Sequence, residues 1–151
     1  AQVAVAVSKG LGAPGGSLPA GGRALSAAAD RHRRMLGGAM RQTGIFAAAA
    51  LHGLDHHRQR LAEDHRHARV LAEALAACPA VVIDLATVQT NIVVFQLAAG
   101  APDAAALVGR ARERGVLLNA FAARTVRAVT HLDVSGEQVA RAAAVLRGLL
   151  G

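Results

Sequence analysis

Tryptophan and tyrosine are absent from this 151-residue chain, and phenylalanine occurs three times. The flat side chains on which single-stranded nucleic acids stack are therefore nearly missing. That weakens the obvious reading of a formal net charge of +7 and a pI of about 11.5. The arginines run from Arg23 to Arg147 and alternate with acids, as at Arg60, Glu63 and Asp64, rather than forming one patch. Nucleic acid is not an expected partner; a small anion such as a phosphate or carboxylate suits isolated arginines better. Cys78 is the single cysteine, which excludes an internal disulfide and a cysteine-based zinc site and points to a reducing compartment. The longest apolar run, residues 45–51, is far below the roughly 20 residues of a membrane span. No basic leader precedes the N-terminal apolar run, so no signal peptide is expected, and the expected location is cytoplasmic.

Lysine is the scarcest basic residue: Lys9 is the only one among 17 lysines and arginines. It stands between a strand-like run, residues 3–7, and a glycine-rich stretch holding six glycines from Gly10 to Gly22. An arginine stays protonated, whereas a lysine amine can become a neutral nucleophile, so Lys9 is a Schiff-base candidate. A lysine left by chance in an arginine-favouring composition is the competing explanation. The run Gly10-Leu11-Gly12-Ala13-Pro14-Gly15 matches a dinucleotide fingerprint in letters only. Pro14 and Pro19 prevent a helix from starting there, and no βαβ unit follows.

Helical character is expected over residues 23–35, is interrupted at Gly37-Gly38, and returns as one long helix over residues 40–77, ended by Pro79. Beyond it the pattern is strand (81–85), strand (92–95), helix (103–114), strand (116–118), strand (126–131) and helix (136–150). Ser135-Gly136-Glu137-Gln138 has the capping-box form. This predicts a strand, loop and long helices over residues 1–77 and a small α+β domain over 78–151, its sheet covered on one face by helices. The opening strand has no evident partner in its own part, so its neighbours are expected in preceding sequence.

Seven histidines raise a metal site, but the five between His52 and His67 lie on an arginine-rich stretch without a metal-ligand spacing, so no metal is expected. His131, beside Asp133, is expected to be a hydrogen-bonded structural histidine. Arg127 lies on a strand expected to be largely buried and requires an anion there, either a structural carboxylate such as Asp133 or a substrate carboxylate.

Five spaced motifs together resemble a known family. They are Val7-Ser8-Lys9-Gly10-Leu11-Gly12-Ala13-Pro14, Met35-Leu36-Gly37-Gly38-Ala39-Met40-Arg41-Gln42, Leu61-Ala62-Glu63-Asp64-His65, Val88-Gln89-Thr90-Asn91-Ile92-Val93, and Val126-Arg127-Ala128-Val129-Thr130-His131-Leu132-Asp133. In order, and across essentially the whole chain, they are similar to the C-terminal half of the low-specificity L-threonine aldolases, fold-type-I pyridoxal phosphate enzymes of the β-eliminating lyase group. The resemblance implies an α/β transferase-like fold, truncated to the end of the large domain and a small C-terminal domain. It implies pyridoxal 5′-phosphate held by Lys9 as a Schiff base, with Ser8, Arg41 and Arg34 on the cofactor side and Arg127 on the substrate carboxylate. Arg34 stands where the family commonly has lysine. The implied reaction is retro-aldol cleavage of L-threonine or L-allo-threonine to glycine and acetaldehyde, in threonine catabolism and glycine biosynthesis, by a homotetramer or dimer. Another β-hydroxy amino acid lyase, or a non-catalytic associating piece, are the alternatives. Residues expected to pair with the pyridine nitrogen and stack on the ring would precede Ala1, so this chain alone is expected to turn over weakly or not at all.

Overall fold

The computed structural model describes residues 2–151 and divides into two compact units, Ala1–Gln59 and Arg60–Gly151.

The first unit opens with strand β1 (Val3–Ala6), which has a ladder partner within the unit itself. Strand β2 (Ser17–Ala20) pairs with it antiparallel, Val3 opposite Ala20 and Ala6 opposite Ser17. The expectation of a solitary buried strand is thus corrected on both counts, since Val3, Val5 and Leu18 are exposed. The glycine-rich stretch supplies a ten-residue loop, 7–16, that turns the chain back on itself. Pro19 stands opposite Ala4; each strand of a two-stranded ribbon turns alternate N–H groups outward, and proline fits such an edge position. Helix α1 (Arg23–Met35) ends as predicted, with Gly37 at φ 78°.

The predicted long helix is two helices, α2 (Gly44–His56) and α3 (Leu61–Ala76), separated by a turn at 57–60. Leu51 and Leu54, read as part of one apolar stripe with Leu71 and Leu75, are exposed on α2, while Ala68, Leu71, Ala72 and Leu75 of α3 are buried. The division between units therefore falls before α3 and not after residue 77, because α3 packs on elements of the second unit.

In the second unit β3 (Val81–Val82), β4 (Ile92–Leu97), β5 (Asn119–Ala122) and β6 (Thr125–Val129) form an antiparallel sheet in the order β3-β4-β6-β5. The predicted strand 81–85 stops at Val82 because Asp84 caps a short 3₁₀ turn, Leu85–Thr87, its side chain accepting from the Ala86 N–H at 2.9 Å. The strand expected at 116–118 begins at Asn119 instead. Helix α4 (Ala104–Glu113) is capped by Asp103 and closed by Gly115 at φ 79°. Helix α5 (Gly136–Leu150) starts in a complete capping box: the Gln138 N–H donates to Ser135 Oγ and the Ser135 N–H donates to Gln138 Oε1. Along β4 buried and exposed residues alternate, so Val93, Phe95 and Leu97 meet Leu75, Leu107 and Leu146 in one core while the opposite face stays open.

Candidate active site

Lys9 and Ser8 stand exposed in the β1–β2 loop. The loop is tied from within: the Gly12 N–H donates to Lys9 O at 2.8 Å, the Ala13 N–H to Val7 O at 3.0 Å, and the Val7 N–H to Gly16 O at 3.3 Å. Gly12 takes φ 77°, a conformation a side chain disfavours, so the turn closes on the Lys9 carbonyl without strain. Val7, Leu11 and Ala13 are buried beneath it. Two residues of α2 and its end fix the far side. Gly53 lets the helix meet Leu11 so closely that an added β-carbon would lie 2.4 Å from the Leu11 oxygen. His57 Nδ1 lies 2.8 Å from that same oxygen and donates to it as the N–H tautomer. Ser8 and Lys9 thus project from a backbone whose buried residues and hydrogen bonds leave it little freedom. Neither Gly53 nor His57 was a candidate from sequence; a glycine inside the otherwise apolar α2 was the one available signal.

Arg34 and Arg41 flank the connection from α1 to α2. Arg34 Nε donates to Asp30 Oδ2 at 3.1 Å, and Arg33 donates to Oδ1 of the same carboxylate at 3.0 Å, all three on an exposed helix face. Arg41 lies exposed in the loop, next to Gln42 in a left-handed conformation at φ 54°. A glutamine held there is locally strained.

Arg127 is on β6, and its strand is buried on one face only. Val126 and Ala128 point into the core, which sends Arg127 to the open face, opposite Val94 of β4 and Asn119 of β5. The expectation of a largely buried strand is corrected accordingly. Asp133 is not its counter-ion: that carboxylate lies 3.4 Å from His131 Nδ1. Among the described residues Arg127 has no ion pair, and its Nε is shut off from solvent with no hydrogen-bond partner. A half-buried guanidinium with no ion pair fits a carboxylate brought by a ligand. The Phe121 ring, also unforeseen, lies 5.9 Å from the guanidinium carbon.

Among the described residues no group of three or more potential ligands could hold a metal ion, and no helix is long and apolar enough to cross a membrane. The His52 ring meets His56 at a tilt, with centroids 4.4 Å apart, and His57 edge-on at 5.4 Å.

The fold is shared with solved fold-type-I pyridoxal phosphate enzymes. A Listeria monocytogenes protein provisionally described as an L-allo-threonine aldolase superposes with a TM-score of 0.71 at 19% identity, over 99% of this chain and 44% of that one. Ureidoglycine-glyoxylate aminotransferase of Bacillus subtilis gives 0.66 at 17% identity, over 99% and 46%. The family follows from sequence. Residues 2–98 match the model of the β-eliminating lyases, and the chain belongs to that family. Low specificity L-threonine aldolase of Escherichia coli K12 is 44% identical over 146 residues, 97% of this chain and 42% of that protein. Low-specificity L-threonine aldolase 1 of Arabidopsis thaliana is 36% identical over 139 residues, 91% and 39%. The chain thus spans about two fifths of the length of these relatives.

Proposed function

We propose that this chain is the lysine-bearing part of a pyridoxal-phosphate-dependent aldolase that cleaves L-threonine or L-allo-threonine to glycine and acetaldehyde. The observation that carries this is the chain's single lysine presented on a loop held by its own turn hydrogen bonds and by the close approach of Gly53. The names of its relatives agree.

The donor set suits the cofactor: a primary amine at Lys9, the Ser8 hydroxyl beside it, and free cationic charge at Arg41 for a phosphate. Arg41 is the better phosphate partner than Arg34, whose guanidinium is already engaged by Asp30. When bound, pyridoxal 5′-phosphate supplies an electron sink for the carbanion left when the Cα–Cβ bond breaks. Lys9 would hold that group covalently and, once the substrate amine takes its place, carry a proton on Nζ. Arg127 would hold the substrate carboxylate through the in-plane N–H groups at the exposed end of its guanidinium, which fixes the orientation of the Cα bonds. The residues that would complete the ring's surroundings are not in this sequence, so turnover by the chain alone is expected to be weak or nil.

Association with further copies of the chain is part of the same proposal. Met35, Leu36, Met40 and Ile45 are large apolar residues left exposed around the α1–α2 connection, more than a monomer ordinarily leaves in one stretch.

Product identity tests the reaction class. Supplied with pyridoxal 5′-phosphate and methyl-labelled L-threonine over a long incubation, whatever the chain turns over should appear as acetaldehyde and glycine in equal amounts, and the Lys9→Ala chain should give none. Formation of 2-oxobutyrate and ammonia instead would mean β-elimination, and product formed equally by Lys9→Ala would remove the lysine from the chemistry.

A further inference from the structure

Phe121 occupies an irregular place in the β5–β6 hairpin. Asn119 pairs with Arg127 and Ala120 with Val126, but the next pair is Ala122 with Thr125, so Phe121 is the extra residue of a β-bulge. The bulge adjoins a two-residue turn, Ala123-Arg124, in which neither residue has positive φ. Such a turn matches strand twist poorly, and a bulge absorbs the mismatch. The hairpin tip is nonetheless immobilised. Arg124 Nε donates to Leu97 O at 2.9 Å, and its Nη2 donates to Ala98 O and Ala101 O. The Leu97 N–H donates to Arg124 O and the Ala104 N–H to Ala123 O, each at 2.9 Å. Through Nε and Nη2 this guanidinium holds the hairpin to the end of β4 and the start of α4. Phe121 is therefore set in place although its side chain is exposed.

Beside that ring lies the guanidinium of Arg127, with its Nε unsatisfied. We infer that Phe121 is a positioning residue: the clamped bulge holds its ring against Arg127 and so fixes the plane in which that guanidinium receives a substrate carboxylate. A guanidinium placed over an aromatic ring, here with its carbon 5.9 Å from the ring centroid, is attracted through its face, which leaves in-plane N–H groups available to donate. Val94 across the strand pair adds an apolar wall, which lowers the local dielectric and strengthens an ion pair formed there. The inference rests on the carboxylate role proposed for Arg127, and its test separates the two.

The full chain, with pyridoxal 5′-phosphate present, is treated with phenylglyoxal at a series of L-threonine concentrations. Modification at Arg127 is read by peptide mass. The threonine concentration giving half protection should rise about two- to fivefold in Phe121→Ala, return to the parent value in Phe121→Tyr, and stay raised in Phe121→Leu, which keeps bulk without a ring face. Unchanged protection in Phe121→Ala, or full rescue by Phe121→Leu, would overturn the positioning role while leaving Arg127 its carboxylate. Absence of protection by threonine in the parent chain would refute the carboxylate role, and the role of Phe121 with it.

Discussion

Gly53→Ala is the substitution whose effect on the lysine loop is most sharply set by geometry. The new β-carbon would lie 2.4 Å from the Leu11 oxygen, 3.2 Å from its carbonyl carbon and 3.3 Å from its Cβ. Carbon and carbonyl oxygen rest at roughly 3.3 Å or more, so helix and loop must part by about 0.9 Å. The obstructing atom is main chain and cannot rotate away. Separation also stretches the 2.8 Å hydrogen bond from His57 Nδ1 to that oxygen, a contribution of about 1 kcal/mol. Overpacking of this kind costs about 1–3 kcal/mol, and alanine returns about 1 kcal/mol of helix propensity. The net expectation is a loss of about 2 kcal/mol, read as a lowered urea midpoint of the first unit by far-ultraviolet circular dichroism. A displacement near 1 Å also moves Lys9, so its rate of capture by pyridoxal 5′-phosphate and borohydride should fall at least about tenfold. Gly44→Ala is the control, since a β-carbon there meets nothing within 4 Å. Stability and Lys9 capture unchanged in Gly53→Ala would refute the claim that this contact sets the loop.

Two further substitutions probe the second unit by thermal or urea unfolding. Arg60→Ala strands the buried Asp64, which it binds at 2.8 Å and whose own carbonyl accepts from Thr130 Oγ1, and should cost about 3 kcal/mol. A loss below about 1 kcal/mol would mean that water reaches the carboxylate. Gly109→Ala, inside α4 with open space at the β-carbon, should gain about 0.5–1 kcal/mol, and a loss would show a neighbour that the structure lacks.

What could be read from the sequence was local chemistry. Asp103, Gly115 and the Ser135 to Gln138 box mark helix ends by side-chain hydrogen bonds and left-handed glycines within a few residues, and these stand where expected. β2 was hidden because Leu18 and Pro19 sit among glycines and a proline, and only pairing with β1 makes them a strand. The break between α2 and α3 was hidden because His57-Arg58-Gln59-Arg60 holds no glycine or proline to announce a stop. Lys9 and Arg127 were legible as candidates because a lone lysine and an arginine between apolar residues are chemically unusual. Their supports were not: Gly53 acts through a contact 42 residues distant in sequence, and Phe121 depends on a bulge that no residue pattern specifies.

The central claim is that Lys9 is held ready for the cofactor, and covalent capture tests it most directly. The chain is titrated with pyridoxal 5′-phosphate, reduced with borohydride and mapped by peptide mass, with the N-terminal amine as internal background and urea-unfolded chain as reference. Saturable labelling at Lys9, well above both and lost in Lys9→Arg, is the predicted result. Labelling of Lys9 that never saturates and does not exceed that of the unfolded chain would contradict it.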